Sequence, residues 1–347
     1  MLKNYLVVAL RSLWKQRGFA FINVVGLAVG LAFCALIALY VQDEWTYDRF
    51  HEKGDRIVRV HRATFAPDGS VESTDVYLPM PLGPALERDL PAVEATVRFR
   101  EVDHLVRPAG EREAVREASV LYADPSLFHV FTFPLRRGDP GGVLSRLHSA
   151  VLTPQQAAAF FGEADPIGQT LQVRIDDAFV DFTVTGIAEP PPSNSTIQFG
   201  IVLPFAAWAA YVPWARERAE SWQSSAYITY ALLREGAPAL DAETLLAFRR
   251  TYYPDEEVRW REDWGWTADL VPVRYRAQPL YDIHLDPAVG GGLTPPSDPF
   301  YAALLAAIAF GVLGIACINF MTLAVGRSAR RAREVGVRKA IGARRTQ

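Results

Sequence analysis

Two long uncharged apolar stretches divide the chain into three polar sections. Residues 19–41, "FAFINVVGLAVGLAFCALIALYV", hold no charged side chain, and neither do residues 300–326, "FYAALLAAIAFGVLGIACINFMTLAVG". As a helix the first would be about 34 Å long, against a hydrocarbon core of roughly 30 Å, and the second is longer. Both are predicted to span a membrane. A cleavable leader has an apolar region of only about 7–15 residues and a small-x-small site behind it. The first stretch is longer, and "YVQDEWTYDRF" behind it supplies no such site, so it reads as an uncleaved anchor. Two buried core helices are the alternative, and uncharged runs of this length seldom fit inside a soluble domain.

Between the spans, residues 42–299 carry the patterns of a mixed α+β domain. "DRIVRVHRATF" alternates apolar and polar positions as a half-buried strand does, and "PLGPALERDLPAV" opens on prolines and continues at helical spacing. "VEATVRFREVDHLVRP" and "EREAVREASVLYAD" are predicted strands, followed by "PSLFHVFTF" as a short helical connector. A second set begins at "TPQQAAAFFG", a helix with Thr153 as N-cap and Pro154 in its first turn. Strands are predicted at "QTLQVRI" and "FVDFTVTGIAE", and "EPPPSNST" is expected to close that hairpin as a turn-rich break. "SAYITYALLRE" then reads as a strand, "LDAETLLAFRRTYY" as a helix and "DLVPVRYRAQPLYDIHL" as an extended return toward the second span. "GGGLTPPSDP" reads as a linker. No internal repeat is visible.

Charge adds orientation. Residues 1–18 carry four bases and no acid, residues 327–347 carry eight bases against one acid, and the stretch between holds a net charge of −14 against −3 for the whole chain. Bases next to the ends of spans stay inside, so both termini are expected in the cytoplasm and residues 42–299 outside it. That section is long enough for its own core. Cys34 and Cys317 fall within the spans, leaving the outer section no cysteine for a disulfide. Residues 1–18 place Leu2, Leu6, Leu10 and Leu13 along one side of a helix, with Arg11 and Lys15 elsewhere. That suits an amphipathic helix lying in the inner interface.

The search for chemistry returns little. No G-x-x-x-x-G-K-[ST] loop is present, so no ATP hydrolysis is expected of this chain. His51, His61, His104, His129, His148 and His284 are dispersed and read as surface or packing residues, with no zinc spacing among them. Ser145, Ser149 and Ser195 lack the setting of a nucleophile. No metal or cofactor is expected. Asp43, Glu44 and Asp48 in "DEWTYD" read as a solvated acidic collar. The three indoles of "WREDWGW" suit a packed core or membrane-surface position, with a ligand-facing wall as the alternative. "NST" at Asn194 matches a glycosylation acceptor and is discounted, because the triplet is frequent by chance.

Gly26 and Gly30 form a Gly-x-x-x-Gly face on the first span, and Gly311 and Gly314, with Ala316 and Asn319, give the second span comparable small or polar positions. Close packing is expected there. Two helices bury only part of such a surface on each other, so further helices are expected from the same polypeptide or another subunit.

The segment behind the second span, "ACINFMTLAVGRSARRAREVGVRKAIGA", resembles the cytoplasmic segment of the MacB/FtsX-like family of ABC transporter permeases. The N-terminal "LRSLWKQRGFAFINVVGLAVGLAFCALIALYVQDEWTYDRFHEKGDRIVRV" and the stretch "DPIGQTLQV…FTVTGIAEPPPSNSTIQF" are similar to that family's first span and its MacB-type core domain. The resemblance implies a two-subdomain α+β periplasmic core between two transmembrane helices of a bacterial cytoplasmic membrane. It implies a non-catalytic permease that couples ATP hydrolysis by a separate ABC ATPase subunit to movement of its periplasmic domain, for efflux, lipoprotein release or mechanotransmission. Glu334, Gly336, Arg338, Lys339, Gly342 and Ala343 would form or flank the coupling helix in residues 327–347. Other partners implied are a second permease copy, a periplasmic adaptor or lipoprotein, and membrane lipid, but no nucleic acid. Purely electrostatic anchoring of this segment on anionic lipid is the competing role, and it would not call for the Gly and Glu pattern.

Such permeases have at least four spans, so the 347 residues are expected to be a truncated product, a fragment or the front of a longer polypeptide. The competing function is a two-span receptor with an extracytoplasmic sensor domain. It would extend the second span as a heptad-rich helix, and "GVRKAIGARRTQ" shows no heptad.

Overall fold

The computed structural model of the protein describes residues 17–111, 115–263 and 265–341. The amphipathic helix expected over residues 1–18 lies outside the described residues except for its last two, which belong to the first long helix. The chain forms two compact units, one of helices up to Trp45 and from Pro299 onward, the other Thr46–Asp298.

The helical unit is a pair, α1 (Arg17–Trp45) and, at the far end of the sequence, a 42-residue helix Pro299–Ala340. Val24–Trp45 and Pro299–Thr322 are each long and apolar enough to cross a membrane. Helix α1 passes the predicted end at Val41 because "QDEW" contains no glycine or proline to stop it. Large apolar side chains stand on the outside of the pair, among them Phe21, Leu36, Leu39, Phe310 and Ile315, the last two more than two-thirds exposed. In water that surface would be costly, and in lipid it is not.

The second unit is built on one sheet. In chain order its elements are β1 (Ile57–Phe65), β2 (Val71–Asp75), β3 (Leu78–Pro79), α2 (Leu82–Asp89), β4 (Val93–Pro108), β5 (Arg116–Ala123), α3 (Leu127–Val130) and β6 (Leu135–Arg137). Then come β7 (Ser149–Leu152), α4 (Pro154–Phe161), β8 (Thr170–Ile175), β9 (Ala178–Ala188), β10 (Ile201–Pro204), α5 (Phe205–Tyr211) and α6 (Pro213–Glu217). The remainder are β11 (Ser225–Leu233), α7 (Ala242–Tyr252), α8 (Glu256–Glu262) and β12 (Val273–Pro279), so that the helix Pro299–Ala340 is α9. The strand order is β12-β1-β11-β4-β5-β10-β7-β9-β6, with β2 on β1, β3 on β11, and β8 on both β4 and β9.

Strand β4 ties the sheet together. Sixteen residues long, it spans about 50 Å when extended. Its first part pairs with β11 up to Phe99↔Ile228, its middle pairs with β5 from Phe99↔Ala123 to Val106↔Arg116, and its end pairs with β8. One lobe, with α2 and α7, is packed by Val60, Leu82, Leu86, Leu245, Phe248 and Tyr275. The other, with α4 and α5, is packed by Val120, Leu152, Phe160, Phe182 and Phe205. Between them lies a third cluster, centred on Phe99, Phe131 and Tyr230.

Local sequence explains the helices around the sheet. In α7 the N-cap Asp241 accepts from Thr244 N at 2.8 Å, and Leu245, Leu246, Phe248 and Arg249 fall on the buried face at helical spacing. Thr153 occupies the N-cap of α4 with extended backbone and Pro154 behind it, but its hydroxyl makes no cap bond. Two readings change. The β8–β9 hairpin closes at Asp176–Asp177, with Asp176 at φ 56°, so "EPPPSNST" follows the hairpin and does not close it. The strands β2, β3, β7 and β10 are too short or too fully buried to show alternation in sequence.

Phe99 is fully buried where β4 changes partner, whereas Leu105 on the same strand is about one-third exposed. Phe99→Ala is expected to cost about 3–5 kcal/mol by denaturant unfolding, and Leu105→Ala about 1 kcal/mol or less.

Candidate functional site

The second unit receives the chain from α1 at Thr46 and returns it to α9 at Asp298. Its inbound segment, residues 46–56, and outbound segment, residues 279–298, have little regular structure. They are held by side chains. Asp48 stands at φ 57°, a left-handed conformation that Asp tolerates better than most residues. Its N–H donates to Asn194 O at 2.9 Å, while its carboxylate accepts from Thr196 N at 2.9 Å and Thr196 Oγ1 at 2.7 Å. Asn194 Nδ2 in turn donates to Thr46 Oγ1 at 3.1 Å. The outbound segment reaches the same loop, through Thr294 Oγ1 donating to Thr196 O at 3.2 Å. Thr196 thus joins both ends of the domain.

Asp48 is fully buried. This corrects its expected place in a solvated acidic collar: a carboxylate with two donors aimed at it belongs in the interior. Burial still raises its pKa above the ordinary carboxylate value, with the Thr196 bonds opposing the shift. Three residues on, His51 lies among Phe50, Phe131 and Phe133, its Nδ1 accepting from Thr132 N at 3.0 Å and its Nε2 3.8 Å from Asp48 Oδ1. Burial lowers its pKa to about 4.

The outbound segment closes over the inbound one. Tyr47 and His284 stack with centroids 3.5 Å apart and planes 3° from parallel, and the Arg49 guanidinium sits 5.0 Å over the Tyr281 ring. A Cβ at Gly54 would overlap the Tyr281 hydroxyl, so a larger residue there would displace that ring. On β1, Arg59 is 1% exposed and gives Nε and Nη2 to Gln278 Oε1 at 3.2 and 2.7 Å, Nη1 to Gly291 O at 3.2 Å and Nη2 to Val289 O at 3.4 Å. Gln278 Nε2 donates to Asp286 Oδ2 at 2.9 Å. Gly291 and Gly292 have φ of 85° and 130°, and a Cβ at Gly292 would lie 2.9 Å from Arg59 Nη1. The stretch expected to be a linker therefore begins as a strap wrapped on a buried guanidinium.

No local signal marks this clasp. Asp48 and Thr196 are 148 residues apart and Arg59 and Gly291 are 232 apart, and no piece taken alone announces its partner. The one hint is three consecutive glycines at 290–292, a residue type that permits close backbone approach.

Of the residues singled out for helix packing, Gly30 alone meets the facing helix: a Cβ there would lie 3.4 Å from Ala316 Cβ and 4.0 Å from Val312 Cγ1. Gly26 joins Gly30, Phe33, Val312 and Asn319 along an open apolar groove of about 420 Å³, but a Cβ added at Gly26 would meet no atom within 4 Å, and the same is true of Gly311 and Gly314. Of the residues expected to form or flank a coupling helix, Glu334, Gly336, Arg338 and Lys339 lie in α9, in unbroken continuation of the second span. A Cβ at Gly336 would meet nothing. Gly342 and Ala343 lie outside the described residues. Trp260 packs with Leu246 and Val271, and Trp266 gives its indole N–H to Leu270 O at 2.7 Å, so these two are packing residues. Trp264 lies outside the described residues.

In sequence, a folded α+β domain lies between two helices long and apolar enough to cross a membrane, which is the class of membrane proteins with a domain between spans. Residues 20–246 match the family model for the MacB-like periplasmic core domain. The chain belongs to that family, that of the MacB/FtsX-like ABC transporter permeases. Among solved structures it is similar to a domain of a protein described as a permease from Porphyromonas gingivalis, at 22% identity and a TM-score of 0.53 over 66% of this chain and 91% of that one. The periplasmic region of MacB from Actinobacillus actinomycetemcomitans matches at 10% identity and a TM-score of 0.38, over 58% of this chain and 84% of that one. The extracellular domain of the noncanonic ABC-type transporter YknZ from Gram-positive bacteria matches at 13% and 0.34, over 64% and 99%. Among curated proteins none matches. The chain is a membrane protein with a periplasmic-type domain and a place in an ABC transporter. The family match ends within α7, so β12 and the strap lie beyond it.

Arg59→Met is expected to cost about 3 kcal/mol, because it leaves several buried carbonyl groups without a donor. It should also open residues 284–298 to limited proteolysis. Arg62→Met, which breaks a pair with Asp75 that is about one-third exposed, is expected to cost under about 1 kcal/mol. In the helical unit, Gly30→Leu is expected to lower the melting temperature of the detergent-solubilised protein while Gly26→Leu leaves it unchanged.

Proposed function

We propose that this chain is the permease subunit of a MacB/FtsX-type ABC transporter and that a separate ATPase subunit drives it through residues 334–343. The observation that carries the reading is the continuity of α9. One helix of 42 residues, about 63 Å long, runs from the proposed docking segment through the second span to Pro299. A push or tilt applied near Glu334, Gly336, Arg338 and Lys339 is carried along a helix, and the covalent chain hands it to the strap. The strap is fastened through Thr196 to Asp48 on the inbound segment, so the base of the domain moves as one piece. Efflux, lipoprotein release and mechanotransmission all use such a transmission, and both ends of the chain would then face the cytoplasm, with the domain in the periplasm.

Gly336 provides the test. Its helix position has open space around it, so Gly336→Leu adds volume without disturbing the helix pair and leaves net charge unchanged. Arg338→Lys keeps the charge but loses the planar fork that holds a carboxylate through two hydrogen bonds. Expressed in the permease with its ATPase, Gly336→Leu is expected to reduce co-purification at least several-fold, and Arg338→Lys to a smaller degree, with membrane insertion normal. Binding at the parental level by both variants, with only charge-removing substitutions changing membrane association, would show that the segment anchors to lipid and does not dock.

A further inference from the structure

The buried His51 has a geometry that the transmission itself does not need. In the closed clasp its Nδ1 is an acceptor, filled by the Thr132 N–H, and Thr132 Oγ1 accepts from Glu52 N at 2.9 Å. This leaves the imidazole proton on Nε2, which faces Asp48. The rest of its surroundings are the rings of Phe50, Phe131 and Phe133. Asp48 is its titratable neighbour. Facing Asp48 in turn are His284 and Tyr281 from the outbound segment and Tyr230 from β11. Lys53, on the inbound segment, points away and donates to His129 O at 2.7 Å. A second proton on His51 would have to go to Nδ1, turning an acceptor into a donor opposite the Thr132 N–H. The imidazolium therefore cannot form without breaking that bond and separating residue 51 from the 131–133 loop.

We propose that His51 is an acid-sensitive latch: acidification opens the base of the domain locally, freeing the inbound segment from the 131–133 and 194–196 loops while the sheet stays folded. The sign follows from proton uptake. Closed, His51 resists protonation down to about pH 4. Opened to water, it titrates at its ordinary value near 6.5. At His51 the open form thus binds more protons between those limits, and this group alone makes opening up to tenfold easier for each pH unit between about 6.5 and 4. Asp48 works in the other sense, since burial raises its pKa and its protonation favours the buried form. A second buried histidine, His61, also has a pKa lowered to about 4, by burial and by Arg59 and Arg276 with Asp286 opposing. It lies on β1 and serves as the internal control.

The test is hydrogen–deuterium exchange by mass spectrometry on the full chain in nanodiscs between pH 8 and pH 5, corrected for intrinsic exchange. Peptides covering residues 46–53, 128–134 and 192–199 are expected to show an opening constant that rises on acidification, by at most about thirty-fold at pH 5, the contribution of His51 before Asp48 opposes it, with β4 and β5 unchanged. His51→Asn keeps an acceptor for Thr132 N–H without a titratable group and is expected to abolish the opening on acidification, leaving only the opposite, closing effect of Asp48. His61→Gln is expected to retain it. The proposal is overturned if the clasp and the β4–β5 peptides open together. It is equally overturned if His51→Asn leaves the rise on acidification in place, or if His61→Gln removes it.

Discussion

A buried carboxylate, Asp48, held by the N–H and hydroxyl of Thr196, is the contact on which this architecture turns. A charge-bearing group in the interior is tolerated only when its lone pairs are filled, and removal of either partner leaves the other exposed to the full cost of desolvation. Because Thr196 also accepts from Thr294, the same residue fixes the segment that leaves the domain. Stacked Tyr47 and His284, Gly54 under Tyr281, and the Arg59 guanidinium under the glycine strap then close the remaining gaps between the two segments. The two segments are joined to each other through side chains and not through a β-ladder.

That choice has a mechanical logic. Two helices that meet lipid on most of their surface gain no hydrophobic attraction from packing on each other, and within the helical unit Gly30 against Ala316 is a narrow contact. If the two connections to the domain were independent loops, a displacement of α9 would be spent on loop flexing. On the proposed transmission, connections fastened to each other and to the cluster around Phe99, Phe131 and Tyr230 would pass it to β4, which runs through both lobes.

The parts legible in the sequence are those whose signal is local. Uncharged runs around Gly30 and Ala316 announce the spans, alternation announces β1 and β4, and Asp241 followed by Leu245 and Phe248 announces α7. The clasp was illegible for the opposite reason. A pattern of acids beside a span reads as solvated, and Asp48 departs from it because of a threonine 148 residues away. Asn194 in "NST" and the glycines at 291 and 292 likewise acquire their meaning from partners brought by the sheet. The coupling residues Glu334, Gly336, Arg338 and Lys339 stand between these cases: family resemblance nominates them, and their place on one helix with the second span gives the nomination a physical route.

The claim that the two connections form one rigid piece is most directly tested by pulsed EPR on the full chain with Cys34 and Cys317 replaced by Ala and spin labels at the exposed positions Glu52 and Asp282. The account predicts a single narrow distance distribution, the same with and without the ATPase and nucleotide, that broadens when Asp48→Ala removes both Thr196 bonds. A broad distribution in the parent, or a narrow one that Asp48→Ala leaves unchanged, would contradict it.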